Sequence, residues 1–232
     1  MEHHAFYYEG PLALFPALAA DARTQFGARG AGDPSVQSQV WQKFGIDEAR
    51  ALAQAASLKA VGGHTLFILG IGSITTEAQQ ALLKLFEEPQ PGTIFVILVP
   101  HGVLLPTVLS RFMRYPKNLG EGPEAGLMAG EAKEFLSSPY TARSEWIKKF
   151  LKKDDEDDSQ RELARNFLDA LEARLYARFS KESKPGEKEP AHVRDMREGL
   201  QDIGHFRQYL ADRSPSLKMI LEHFAATLPK IE

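Results

Sequence analysis

Across the first 115 residues, five short runs rich in β-branched and aromatic side chains alternate with stretches patterned at helical spacing. No other feature of the chain restricts its fold so strongly. The strand candidates are Ala5 to Tyr8, Val36 to Trp41, Leu66 to Ile71, Ile94 to Val99 and Phe112 to Tyr115. Between them, Phe15 to Phe26, Asp47 to Ser57 and Glu77 to Glu88 read as helices. Strand and helix in regular succession predict an α/β domain with a mainly parallel sheet covered on both faces. The clearest helix places Ala78, Ala81, Leu82, Leu85 and Phe86 on one face. Thr76 and Gln79 are expected to form a capping box at its start, and Pro89 ends it.

Beyond Tyr115 the character of the chain changes. Most of its 28 Lys+Arg and 31 Asp+Glu lie there, as expected where a buried sheet gives way to solvated helices. Pro116 to Pro123 reads as a turn-rich linker. Two short helices should follow, one turning Ala132, Phe135 and Leu136 inward and the next Trp146, Ile147, Phe150 and Leu151. The charge run Lys152 to Asp158 reads as a solvated hinge. Three further apolar stripes predict a small helical domain: Leu163 through Leu175, Val193 through Leu210, and Leu217 through Leu228. Ser180 to Pro190 joins the first two as a polar loop, and Ser214 with Pro215 has the form of an N-cap followed by proline in the first turn. The expected division is an α/β core over residues 1–115, a linker and small helical lid over 116–158, and a helical oligomerisation domain over 159–232.

Composition narrows the function. Zero cysteines exclude disulfides, thiol nucleophiles and cysteine-ligated zinc. A formal net charge of -3 gives no global attraction to phosphate, so contact with nucleic acid would need a local basic patch. No apolar run reaches the length of a membrane span, and the N-terminus lacks the order of a secretory signal, so the expected compartment is the cytoplasm. His3 and His4 lack a third ligand at sensible spacing, and no nucleophile elbow accompanies any histidine.

The block Thr75-Thr76-Glu77-Ala78-Gln79-Gln80-Ala81-Leu82-Leu83-Lys84-Leu85-Phe86-Glu87-Glu88-Pro89, followed by Leu105-Pro106-Thr107-Val108-Leu109-Ser110-Arg111, resembles the core of DNA polymerase III clamp-loader subunits of the delta-prime and gamma/tau type. Ile46-Asp47-Glu48-Ala49-Arg50 is similar to the stretch that follows the second strand in that family. Arg213 to Glu222 is similar to the start of its last collar helix. The resemblance implies an AAA+ parallel-sheet domain, a small helical lid and a C-terminal helical collar. It also implies partners: gamma/tau-like ATPase subunits, a delta-like subunit, and the sliding clamp and primer-template DNA reached through the complex.

The nucleotide-binding parts of the family are not preserved. His4 to Pro11 resembles the lead into a phosphate-binding loop, and Gly10 stands at the loop's first glycine. Counting on, Phe15 stands at the second glycine, Pro16 at the lysine and Ala17 at the Ser/Thr. That loop needs free backbone N–H groups near phosphate, a cation, and a hydroxyl for magnesium. Pro16 has no N–H, and none of the three supplies its part. The acidic motif of the third strand falls on Leu69, Gly70, Ile71 and Gly72, which leaves no carboxylate to hold a metal. Gly27, Gly30 and Gly32 are followed by no Lys-Ser/Thr pair and read as a surface loop. The expectation is therefore a subunit with no cofactor and no ATPase site of its own.

Ser110 and Arg111 remain. The resemblance implies that this arginine projects toward ATP bound on a neighbouring subunit, where a guanidinium stays charged and meets phosphate oxygens in pairs. An ordinary salt-bridged arginine is the alternative, and Arg114 reads as structural. Two other functions compete with the clamp-loader arm: an adaptor that kept the fold outside replication, and an active ATPase with a divergent site.

Overall fold

The computed structural model describes residues 3–28, 32–58, 64–117, 119, 128–151, 158–183, 188–211 and 216–231. The chain forms two compact units, 1–119 and 120–232.

In the first unit the five expected strands all form: β1 (Ala5–Glu9), β2 (Val36–Trp41), β3 (Thr65–Ile71), β4 (Thr93–Val99) and the short β5 (Met113–Arg114). They make one sheet in the order β2-β3-β4-β1-β5, and every pairing is parallel. Parallel neighbours need crossovers, and four helices provide them: α1 (Phe15–Gln25), α2 (Ile46–Ser57), α3 (Thr76–Glu87) and α4 (Pro106–Leu109). The central strands are buried on both faces, as their continuous apolar sequences require.

Alternation along β3 and β4 divides the core. Phe67, Leu69, Ile71, Phe95, Ile97 and Val99 pack with Leu52 of α2 and with Leu82 and Phe86 of α3. Phe86 meets Phe95 and Phe112 edge-on, at ring-centroid distances of 5.3 and 4.7 Å. Burial of each such side chain is worth about 1.5–3 kcal/mol. Within α1, Leu18 and Ala22 are buried.

The start of α3 differs from the expectation. Thr75, one residue earlier than expected, is the N-cap, and its Oγ1 accepts from the Ala78 N–H at 3.2 Å. Gln79 does not turn back to complete a box. Its buried amide donates to Val103 O (3.0 Å) and accepts from the Leu105 N–H (2.7 Å), fixing the segment that leads into α4. Ala81, expected inward, is exposed. At α2 a carboxylate does reach back: Glu48 Oε2 accepts from the Gly45 N–H at 2.8 Å.

The second unit is helical: α5 (Ala129–Ser137), α6 (Tyr140–Leu151), α7 (Asp158–Glu182), α8 (Ala191–Arg207), a 3-10 turn (Gln208–Ala211) and α9 (Leu217–Thr227). Phe135, Phe167, Leu171, Leu200, Ile203 and Phe224 are buried in it. Trp146 stacks on Phe167 at 4.4 Å. Leu163, expected in the first stripe, is exposed, whereas its neighbour Ala164 is buried. The proposed N-cap at Ser214-Pro215 lies outside the described residues, as do Lys152 to Glu156 and Asp157 of the charge run and most of the linker. Ser216 occupies the N-cap position of α9.

Sequence patterning overlooked two polar features of this unit. Arg143 is only 3% exposed, and its guanidinium donates to Phe135 O (2.7 Å), Leu136 O (3.0 Å), Leu228 O (2.6 Å) and Pro229 O (3.1 Å). One cation thereby satisfies carbonyls at the ends of both α5 and α9. Across α7 and α8, Arg207 pairs with Glu172 at 2.6 Å and Asp169 at 2.8 Å. Burial pushes the Glu172 carboxyl upward, and the Arg207 guanidinium pulls it back down.

Candidate subunit-interface site

Two places in the α/β unit carry the residues that the sequence singles out. One is the stretch Gly10 to Ala17 with the end of β3; the other is the turn after α4 that carries Ser110 and Arg111.

Gly10 closes β1, and its N–H donates to Val99 O at 2.9 Å. A 3-10 turn, Leu12–Leu14, runs directly into α1, whose first residues are Phe15 and Pro16. Proline suits this first turn because its missing N–H has no helical partner there. Pro16 and Ala17 are exposed. Phe15 turns onto the sheet: a methyl group added at Gly70 would stand 2.7 Å from its ring. The aromatic ring therefore lies on the backbone of β3, and glycine is what lets it approach.

Leu69 and Ile71 point the other way, each 2% exposed, into the α2–α3 core. Gly72 is enclosed by Gln42 O and the Leu12 side chain, at 2.8 and 3.1 Å from the position a methyl would take. The structure thus brings these two stretches into direct contact. No cation, hydroxyl or carboxylate belongs to Phe15, Pro16, Ala17 or Leu69 to Gly72, so these residues do not fit a magnesium nucleotide. Of the neighbouring glycines, Gly27 adopts a φ of 73° after α1, and Gly30 lies outside the described residues.

Arg111 follows the C-cap residue Ser110. Its Nε donates to Glu87 Oε1 at 2.9 Å, and a second guanidinium nitrogen bonds the same oxygen. The third nitrogen donates to Thr107 O and to Ser110 Oγ, the latter at 3.2 Å. The arginine side chain is 26% exposed and that of Glu87 is 47% exposed, so this is a surface ion pair at the end of α3. Sequence reasoning quoted Glu87 in the helix motif without assigning it a partner, since a contact spanning 24 residues leaves no local signal. Arg114 lies in β5, paired beside Tyr7 of β1.

The segment between β4 and α4 is fixed from two sides. Gly102, with φ 70°, donates its N–H to Glu9 Oε1 at 2.9 Å, and Gln79 holds Val103 and Leu105. His101 is buried. Three other histidines take polar partners: His4 with Phe86 O at 2.8 Å, His192 with Glu182 at 3.0 Å, and His223 with Asp202 at 3.0 Å. Among the described residues, no three metal-ligating side chains gather, and no helix is long and apolar enough to cross a membrane.

Residues 25–116, which run from the end of α1 through β5, match the family model described as DNA polymerase III, delta subunit. Over that stretch the chain is similar to this family. No curated protein matches it. Among solved structures, a DNA polymerase III gamma subunit-related protein of Thermotoga maritima is similar at 14% identity, with 97% of this chain and 93% of that chain covered and a TM-score of 0.45. The matched segment contains α2, α3, the end of β3 and the Ser110-Arg111 turn. The architecture is the expected α/β parallel sheet, and helices follow it in the chain.

Proposed function

We propose that this chain is a delta-prime-like clamp-loader subunit, a structural arm that does not turn over ATP itself and that lends Arg111 to a nucleotide held by its neighbour. The observation that carries the reading is the Phe15 ring lying against Gly70. Phosphoryl transfer needs a positioned cation and a metal held by carboxylates, and each contributes several kcal/mol to the transition state. Here the corresponding positions pack apolar groups on one another.

In this reading Ser110 and Arg111 form the trans arginine finger, and Thr107, Ser110 and Glu87 set the direction of the guanidinium. A partner's phosphate would exchange for Glu87, a modest cost because an exposed ion pair is worth about 0–1 kcal/mol. Residues 116–158 act as linker and lid, and residues 159–232 as the collar through which subunits associate. The partners are gamma/tau-like ATPases and a delta-like subunit, with the sliding clamp and primer-template DNA met through the complex in the cytoplasm. A formal net charge of -3 favours contact with DNA through the assembly over binding by the chain alone.

Affinity purification of the chain from its native source, followed by mass spectrometry, tests the assignment. It should recover a gamma/tau-like ATPase and a sliding clamp. Recovery of neither would sink it and favour an adaptor outside replication.

A further inference from the structure

The strand β2 ends the sheet, and its outer side has the features of a self-pairing edge. Leu66 N–H donates to Ser35 O and Gly72 N–H donates to Trp41 O, both at 2.8 Å. In a parallel ladder, therefore, odd-numbered residues of β2 turn their backbone groups toward β3, and Val36, Ser38 and Val40 turn theirs outward. The Val36 N–H is taken by Asp33 O at 3.0 Å, whereas no strand among the described residues lies beyond Ser38 and Val40.

Edges in natural sheets are commonly guarded by lysine, proline or a bulge. The sequence Val36-Gln37-Ser38-Gln39-Val40-Trp41 contains no charge and no proline, and Val40 is 49% exposed. Nothing along the strand would repel an identical strand.

The geometry points to a homodimer in which β2 pairs antiparallel with β2 of a second copy, extending two five-stranded sheets into one. A two-fold axis perpendicular to the sheet keeps like faces together, so residues pair only with others of the same parity. Centred on Ser38, this register sets Ser38 opposite Ser38, Gln37 opposite Gln39, and Val36 opposite Val40. Every pair then matches in chemistry: amide with amide, and β-branched side chain with β-branched side chain. The outward N–H and C=O of Ser38 bond reciprocally across the axis, and each Val40 N–H reaches the second copy's Val36 C=O. Gln37 and Gln39 also line a groove of about 370 Å³ between β2 and α2, floored by Trp41, Leu52 and Phe67, along which the second copy's amide side chains would lie. This inference is independent of the clamp-loader reading.

Analytical ultracentrifugation of the whole chain from low to high micromolar concentration should show a reversible shift from the chain mass to twice that mass. Val40→Lys should weaken the dimer on the order of tenfold, since the change counts twice across the axis. Ser38→Pro should weaken it as well, because it removes only an outward N–H, which an edge position tolerates. The absence of native cysteine allows a third test. Opposed residues in a hydrogen-bonded antiparallel pair have Cα atoms about 5.5 Å apart, within disulfide range. Ser38→Cys should therefore give a covalent dimer on mild oxidation, whereas Met219→Cys, at a position 71% exposed in the other unit, should not. A monomer throughout the range would overturn the proposal. So would a dimer that is indifferent to both edge variants and fails to cross-link at position 38, with circular dichroism confirming that each variant is folded.

Discussion

Arg111 meets Glu87 through two guanidinium nitrogens, one of them Nε at 2.9 Å, and rests its remaining nitrogen on Thr107 O and Ser110 Oγ. A cation is thus held at the surface by a carboxylate on a different element. The pair spans α3 and the turn after α4, the two parts of the chain that most resemble the clamp-loader family.

Arg111→Ala should leave the fold nearly intact, because the ion pair it removes is exposed and worth about 0–1 kcal/mol. In the reconstituted complex the same change should lower ATPase activity by a thousandfold or more, the order expected for an arginine finger. Steady-state ATPase assays of matched wild-type and variant complexes check this. An unchanged rate with normal assembly would reduce Arg111 to a surface ion pair.

The contact of Phe15 with Gly70 makes a stability prediction. Gly70→Ala places a methyl 2.7 Å from the ring and should cost about 1–3 kcal/mol through overpacking. Combined with Phe15→Ala, which removes the ring, the Gly70→Ala penalty should largely vanish. A double-mutant cycle by urea denaturation reads that coupling, and additive effects would contradict the packing.

In the helical unit, Arg143→Ala takes the guanidinium donors from Leu228 O and Pro229 O, while Phe135 O keeps the Ser138 N–H and Leu136 O keeps the Ile231 N–H. It should cost about 3 kcal/mol or more, since each unsatisfied buried group carries its own desolvation penalty. Arg143→Lys should recover only part of this, because an ammonium cannot reproduce the planar fork. Trp146 fluorescence in a Trp41→Phe background reports the unfolding of this unit.

Acid should loosen the clip between α1 and the end of the sheet. Lys117 and Tyr115 hydrogen-bond Asp21, Tyr115 at 2.8 Å, and hold its carboxyl below the usual carboxylate range. A folded-state pKa below the unfolded one gives stability that is present above about pH 4 and is lost as pH falls through the folded value. Asp21→Asn should therefore lower stability at neutral pH and flatten its decline in acid. Thermal melts between neutral pH and pH 3 measure the two slopes, and parallel slopes would contradict the clip.

The parallel sheet was legible because its strands are buried on both faces and must be apolar throughout, as in Phe67 to Ile71 and Phe95 to Val99. Helix boundaries fell within a residue or two, since Pro89 and the small residues of α2 leave little freedom. The cap of α3 was displaced by one residue because Thr75 and Thr76 are chemically equivalent in sequence. Only the fold shows which of them reaches the Ala78 N–H, or that Gln79 serves Val103 and Leu105 instead. Arg143, Glu87 and the Glu172–Arg207 pair were invisible for a common reason. Their partners are distant in the chain, and charge on a helix reads as solvated until packing encloses it. Leu163 shows the reverse error, an apolar residue in register with a stripe yet one position outside the buried arc.

The account turns on whether this chain itself handles nucleotide, and titration of the purified protein with a fluorescent ATP analogue and magnesium tests that most directly. With apolar packing from Phe15 to Gly70, no saturable binding should appear through the micromolar range, and adding Arg111→Ala should change nothing. Saturable micromolar affinity for the magnesium nucleotide would contradict the account and return the chain to the active ATPases.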